Sequence, residues 1–291
     1  MALFQISNDK ITIQVDSMGA ELKSLKDVAT GREYMWNGDP QYWKRTSPVL
    51  FPLVGSLKDG IYRLDGREYP MGQHGFARDM EFQLKSQSAH EIWFTLESDE
   101  ETLRKYPYPF LLELGYELRE KSVAVKWNVK NPGQERMYFS IGGHPAFLCP
   151  IEEGTRQTDY RIRLDGPKKV AVSTLCGPLA SGKTAELSLE NGEIPVTEHL
   201  FDQDALVIEH DQAHSVALVK PDGEAYLTVT FDAPLFGIWS PPKKQAPFIC
   251  IEPWYGRCDR VDFAGDWTER EWGQRLEAEE SFAVEYQITI A

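Results

Sequence analysis

An all-β fold, an antiparallel sandwich with few short helices, is the class this sequence predicts, on three observations. Apolar residues recur with a period of two, tight-turn dipeptides separate the segments that carry them, and no strand pattern alternates with long helical patterns. A period of two sends one set of side chains to a buried face and the other toward water. Short strands joined by tight turns pair antiparallel, and large sheets of that kind are buried by packing face to face.

In chain order, Ile11, Ile13 and Val15 read as the first half-buried strand. Asp59-Gly60, Asp65-Gly66, Asn191-Gly192 and Asp222-Gly223 are pairs that tolerate positive φ in tight turns, and Ile61–Leu64 with Arg67–Pro70 around Asp65-Gly66 is the clearest hairpin. Ile92, Phe94 and Leu96 form a second alternating strand. Asp99 to Tyr106 reads as a brief helix closed by Pro107 and Pro109. Val123, Val125, Trp127 and Val129 make a third strand, and Phe282, Val284, Tyr286 and Ile288 a last one. Pro167 to Pro195 is the least patterned stretch and is expected to be a long surface excursion; Glu198 to Phe201 is expected to be briefly helical. With no internal repeat and no flexible linker, one domain over 1–291 is expected.

Charge and cysteine usage narrow the class of function. Lys+Arg 31 against Asp+Glu 45 gives 31 − 45 = −14 over 291 residues, with no basic cluster, so neither nucleic acid nor an anionic membrane is an expected partner. The first residues lack a basic segment followed by an apolar one, and no apolar run approaches bilayer length, so a cytoplasmic protein is expected. Cys149, Cys176, Cys250 and Cys258 contain no CxxC pair and signal neither a zinc ribbon nor a disulfide framework.

The stretch with most chemistry is Phe248-Ile249-Cys250-Ile251-Glu252-Pro253-Trp254-Tyr255-Gly256. A continuous apolar run argues a strand buried on both faces, expected to stop at Pro253 and so to present Glu252 at its end. A carboxylate inside such a run is costly to bury unpaired. Its ordinary explanation is a salt bridge, to Arg257 or Arg260, and its functional one is proton transfer. Two histidines are framed by residues that bend the chain: His74 in Gly72-Gln73-His74-Gly75 and His144 in Gly142-Gly143-His144-Pro145. Two imidazoles and one carboxylate suit acid–base chemistry. The ligand spacing expected of a metal site is missing, as are a GxSxG elbow and a glycine-rich phosphate loop, so metal, nucleophilic and nucleotide chemistry are not expected. Arg45, beside Tyr42 and Trp43, and Arg78, four residues after His74, are candidates to hold hydroxyls or a carboxylate. Trp239, Trp254 and Tyr255 are candidates to stack on a sugar ring.

Taken together, the segments Trp43 to Gly55, His74 to Asp79 (HGFARD), Gly142 to Phe147 (GGHPAF), Asp202-Gln203-Asp204 and Ile251 to Gly256 (IEPWYG) resemble, in order and over nearly the whole chain, the aldose 1-epimerase (galactose mutarotase-like) family, in particular its LacX-like branch. The resemblance implies a β-supersandwich with neither metal nor organic cofactor, acting on a small sugar as a monomer or homodimer. It implies Glu252 as the base that takes the C1 hydroxyl proton of a cyclic aldohexose or hexose phosphate, and His144 as the acid that protonates the ring oxygen. His74 would steady the substrate, and Arg45 and Asp204 match sugar-binding positions, with Asp202 competing with Asp204; Arg78 and Trp254 join them as sugar-binding candidates from the residues alone. The glycine–arginine pair of galactose-specific members is Gly55-Ser56 here, and their asparagine before the second histidine is Gly143, so galactose specificity does not follow; a phosphorylated hexose would need a cluster such as Lys44, Arg45 and Arg78. A catalytically idle sugar-binding or regulatory module on the same fold is the alternative. Glycoside hydrolysis by Glu252 with Asp204 would leave the histidines without a role.

Overall fold

The computed structural model describes residues 2–166 and 168–291. The period-two segments become strands at Ile11–Asp16, Glu91–Glu97, Ser122–Lys130 and Ser281–Ile290, every named pairing being antiparallel. Strands make up 49% of the structure and helices 6%, as the alternation requires.

Two large sheets carry the molecule. One has nine strands in the spatial order Glu193–Pro195, Arg161–Leu164, Ser215–Val219, Ala225–Phe231, Ser281–Ile290, Ser122–Lys130, Leu111–Arg119, Glu91–Glu97 and Gln83–Gln87. The other has eight: Leu179–Ser188, Lys169–Cys176, Leu206–Glu209, Leu235–Trp239, Phe248–Tyr255, Ile141–Gly143 and Val49–Leu50 in order, with Ala146–Leu148 paired alongside Phe248–Tyr255. Their facing sides meet where Tyr255 packs against Trp127 at 6.5 Å and against Phe282 at 5.1 Å. Each fully buried large apolar side chain in such a core contributes about 1.5–3 kcal/mol. A three-stranded sheet, Leu3–Ser7, Ile11–Asp16 and Glu21–Asp27, and two short ribbons complete the structure.

Local chemistry explains the turns and the α-helix. Asp65 and Gly66, at φ 50° and 74°, close the Ile61–Leu64/Arg67–Pro70 hairpin. Asp59-Gly60 also has positive φ at both residues but leads into a strand rather than joining two. The helix spans Glu100–Lys105: Asp99 accepts the Thr102 N–H and the Thr102 hydroxyl accepts the Asp99 N–H. It is the one α-helix among the described residues, and no helix among them is long and apolar enough to cross a membrane.

Three local expectations are corrected. Phe248–Tyr255 does not stop at Pro253. The Ile251 N–H points to Pro145 O at 3.2 Å, so the Pro253 nitrogen, two residues on, faces the same side. There the neighbouring strand is interrupted between Gly143 and Ala146, and a missing donor breaks no ladder. Glu198 to Phe201 is a chain of separate turns, with Leu200 N–H bonded to Thr197 O and Asp202 N–H to His199 O, because so few residues cannot offset helix nucleation. The stretch after Pro167, a residue outside those described, is no loop: Lys169–Cys176 and Leu179–Ser188 pair as a long hairpin on the sheet edge. Only Val170 and Val172 of its first strand and Ala180 of its second are buried, which is why a weak alternation was all the sequence carried.

Candidate active site

The Phe248–Tyr255 strand divides its side chains by parity. Ile249, Ile251 and Tyr255 join the core between the sheets, whereas Phe248, Cys250 and Trp254 face the other side, the first two among Trp36, Tyr42 and Trp43 and the last among Leu50, Val54, Val207 and Leu235. Tyr255 is thereby removed from the candidate stacking residues. Glu252 belongs to the outer set and lines a cavity of about 480 Å³ together with His74, His144, Arg45, Arg78, Asp204 and Trp254. Seven side chains from widely separated segments thus meet in one place. Asp202 does not join them; it pairs with His199 at 2.9 Å and lines a different cavity.

At the centre, His144 Nε2 approaches Glu252 Oε2 to 3.2 Å, with both residues buried at 7% and 1% exposure. Neither expected salt bridge to Glu252 forms: Arg257 pairs with Glu209 and Glu271, and Arg260 with Asp262. Burial, and then the negative charge of Asp204, carry the Glu252 carboxyl well above the usual carboxylate range, with Trp254 pulling the other way. Burial, then the positive charge of Arg78, push His144 down to about 3. The two groups are driven apart so that each favours its neutral form.

His74 is held by backbone. It has φ +67° and is followed by Gly75 at +70°. Its N–H donates to Gly55 O at 2.8 Å, and its ring Nδ1 accepts the Gly55 N–H at 3.1 Å. An accepting Nδ1 leaves the ring proton on Nε2. Burial, then the His144 charge, keep the ring neutral. A Cβ on Gly75 would lie 2.3 Å from the Phe51 carbonyl oxygen, and its backbone conformation is one that side chains resist. Gly75→Ala is expected to cost more than the ~1–3 kcal/mol of a left-handed non-glycine residue alone. Chemical denaturation measures it; a loss below about 0.5 kcal/mol would mean that the loop relaxes freely.

The cationic wall is partly committed. Arg45 forks onto Asp79 at 2.9 and 3.2 Å, and Arg78 donates to Gln73 O at 2.7 Å. Burial and the Arg45 charge bring Arg78 down to about 10. Four lining residues keep a buried polar atom without a hydrogen-bond partner among the described residues: Arg78 Nε, His144 Nδ1, Glu252 Oε2 and Trp254 Nε1. Buried polar atoms left unpaired are costly, and a hydroxyl-rich ligand would satisfy them. His144, Cys250 and Glu252 could also present one ligand atom each to a metal ion, all within 4.8 Å, although burial keeps the Cys250 thiol protonated.

Some of the site escaped notice in the sequence. Trp43, within a segment noted for its arginine, stacks on His144. Cys258 lines the cavity, as do Leu175 and Pro178 of the edge hairpin. The Val170/Val172 alternation was the one signal pointing to that hairpin.

Residues 2–289 match the family model described as aldose 1-epimerase. The chain is 34% identical over 268 residues, 87% of each protein, to the chromosomal Protein LacX of Lactococcus lactis subsp. lactis. The structure resembles that of a galactose mutarotase related enzyme from Lactobacillus acidophilus, with 32% identity, TM-score 0.95, and coverage of 100% of this chain and 97% of that one. It also resembles a galactose mutarotase-like protein from Lactobacillus casei, with 30% identity, TM-score 0.92, and both chains covered in full.

Proposed function

The chain belongs to the aldose 1-epimerase family, and from that premise we propose that it is a mutarotase, an isomerase that interconverts the α and β anomers of an aldohexose or hexose phosphate by opening and closing the ring. The observation that carries this reading is the His144 Nε2–Glu252 Oε2 approach inside a cavity large enough for a pyranose. Glu252 takes the proton from the C1 hydroxyl while His144 gives one to the ring oxygen, and the C1–O5 bond breaks. Rotation about C1–C2 turns the aldehyde, and the reverse transfers close the ring on its other face.

The electrostatics favour this cycle. Across the neutral range the pair holds one proton in total, because Glu252 is raised and His144 lowered. Ring opening starts with that proton on His144 and ends with it replaced by one on Glu252. Both arrangements of the pair are net neutral, so no step charges a buried cavity. The free site leans toward protonated Glu252 and neutral His144, the form that accompanies the open-chain aldehyde. His74 contributes a fixed neutral Nε2–H donor to the substrate, and Arg45, Arg78, Asp204 and Trp254 hold the sugar.

A pH profile follows from the two displacements. kcat/KM is expected to stay flat through neutrality, because the pair keeps its single proton between the lowered His144 and the raised Glu252. It falls on the acid side when both groups are protonated and on the alkaline side when both are bare. Limbs at the ordinary values, about 4.3 and 6.5, would count against the assignment.

The direct test is anomer exchange by NMR magnetisation transfer on glucose, galactose and glucose 6-phosphate. Exchange accelerated on one of them supports the reading and identifies the sugar class. Binding without acceleration on any of them defeats it in favour of a sugar-binding module.

A further inference from the structure

The His144 ring is held in an unusual way. A proton-transferring histidine is ordinarily oriented by a hydrogen bond at its second nitrogen, yet His144 Nδ1 is buried without a partner among the described residues. Rings surround it instead. The Trp43 indole lies over its face, with centroids 4.7 Å apart and planes at 29°. Trp239 and His74 meet it edge-on at 5.4 Å and 85°, and 5.6 Å and 87°.

Trp43 is itself braced. Its carbonyl accepts the Trp36 indole N–H at 2.9 Å, and its ring stacks on Phe248 at 5.8 Å, which packs on Trp36 at 4.7 Å. Phe248 stands on the strand that carries Glu252, so one rigid element sets both the carboxylate and, through two rings, the plane of the imidazole.

We propose that Trp43 is the positioning residue of the proton-transfer pair: its stacked face, in place of a hydrogen bond at Nδ1, keeps His144 Nε2 within 3.2 Å of Glu252 Oε2. This rests on the acid–base reading above. The same face attracts the imidazolium that must form before the ring oxygen is protonated, opposing the burial and the Arg78 charge that expel the proton.

The test compares wild type, Trp43→Phe and Trp43→Leu, with Glu252→Gln as reference and histidine labelled with ¹⁵N. The difference between wild type and Glu252→Gln in the His144 Nε2 shift reports the contact with the carboxylate; the signal lost in His144→Gln identifies it. Trp43→Leu is expected to move that shift to the Glu252→Gln value and to lower kcat about 10- to 100-fold with KM nearly unchanged. Trp43→Phe, which keeps a π face, is expected to retain most of both. Should the leucine variant not fold, Trp43→Met takes its place, long but without a π face. A wild-type Nε2 shift in the leucine or methionine variant would overturn the proposal. So would a rise in KM at constant kcat, which would make Trp43 a sugar platform only. Absence of exchange in the wild type would defeat the mutarotase reading alone, since the shift comparison needs no turnover.

Discussion

Replacing Glu252 by Gln is expected to slow anomer exchange by about 10²- to 10⁴-fold while leaving sugar binding within a small factor. Gln keeps the shape and one carbonyl oxygen but cannot accept the C1 hydroxyl proton, so the loss falls on kcat rather than KM. Magnetisation transfer reads the rate, and calorimetry or ligand-detected NMR reads the binding. The same variant carries a second signature. A carboxyl whose folded value is raised binds its proton more tightly when folded, so its contribution to stability falls as pH rises from the ordinary carboxyl value, about 4.3, toward the raised one. Removing the carboxyl removes that fall. Glu252→Gln is therefore expected to gain melting temperature relative to wild type as pH rises above the ordinary carboxyl value of about 4.3. A variant that exchanges anomers at the wild-type rate, or that loses stability as pH rises, would show that Glu252 is a structural residue.

The largest expected loss of stability lies beneath the site. Asp259 and Arg270 form a buried pair, Nε to Oδ1 at 2.7 Å, with side-chain exposures of 4% and 3%. The second Asp259 oxygen accepts the Lys58 N–H at 3.0 Å, and Arg270 also donates to Arg257 O at 2.7 Å and lies over the Trp267 ring. Asp259→Ala leaves a buried guanidinium unpaired, a change that typically costs about 3–5 kcal/mol. Asp262→Ala, which breaks the exposed, solvent-screened pair to Arg260, is expected to leave the midpoint almost unchanged. Urea midpoints at unchanged slope measure both. The consequence reaches the site through one neighbour: Cys258, next to Asp259, packs so closely on Gly55 that a Cβ there would lie 2.6 Å from it, and the Gly55 N–H holds His74. If the Asp259 variant lost no more than the Asp262 variant, the pair would be idle.

What could be read from residues alone was whatever depends on neighbours in the chain. The alternation through Val123 to Val129 and Phe282 to Ile288, the Asp65-Gly66 hairpin and the brief helix after Asp99 are decided within a few residues, by pleat geometry, by φ at the turn and by the prolines that close the helix. Glu252, His144 and His74 stood out as candidates for a related reason. Glycine and proline beside a histidine, and an acid inside an apolar run, are local departures from packing logic. Tertiary structure decided the rest. Pro253 stays in its strand because a gap in a distant neighbour meets it. Asp204 lines the cavity and Asp202 does not, although only Gln203 separates them, because Asp204 is turned at φ +76° while Asp202 is held by His199. The edge hairpin and Trp43 belong to the cavity through contacts that no periodicity records. Side-chain alternation is a property of one strand, whereas the meeting of eight separate stretches around a sugar-sized cavity is a property of how two sheets and their loops are packed.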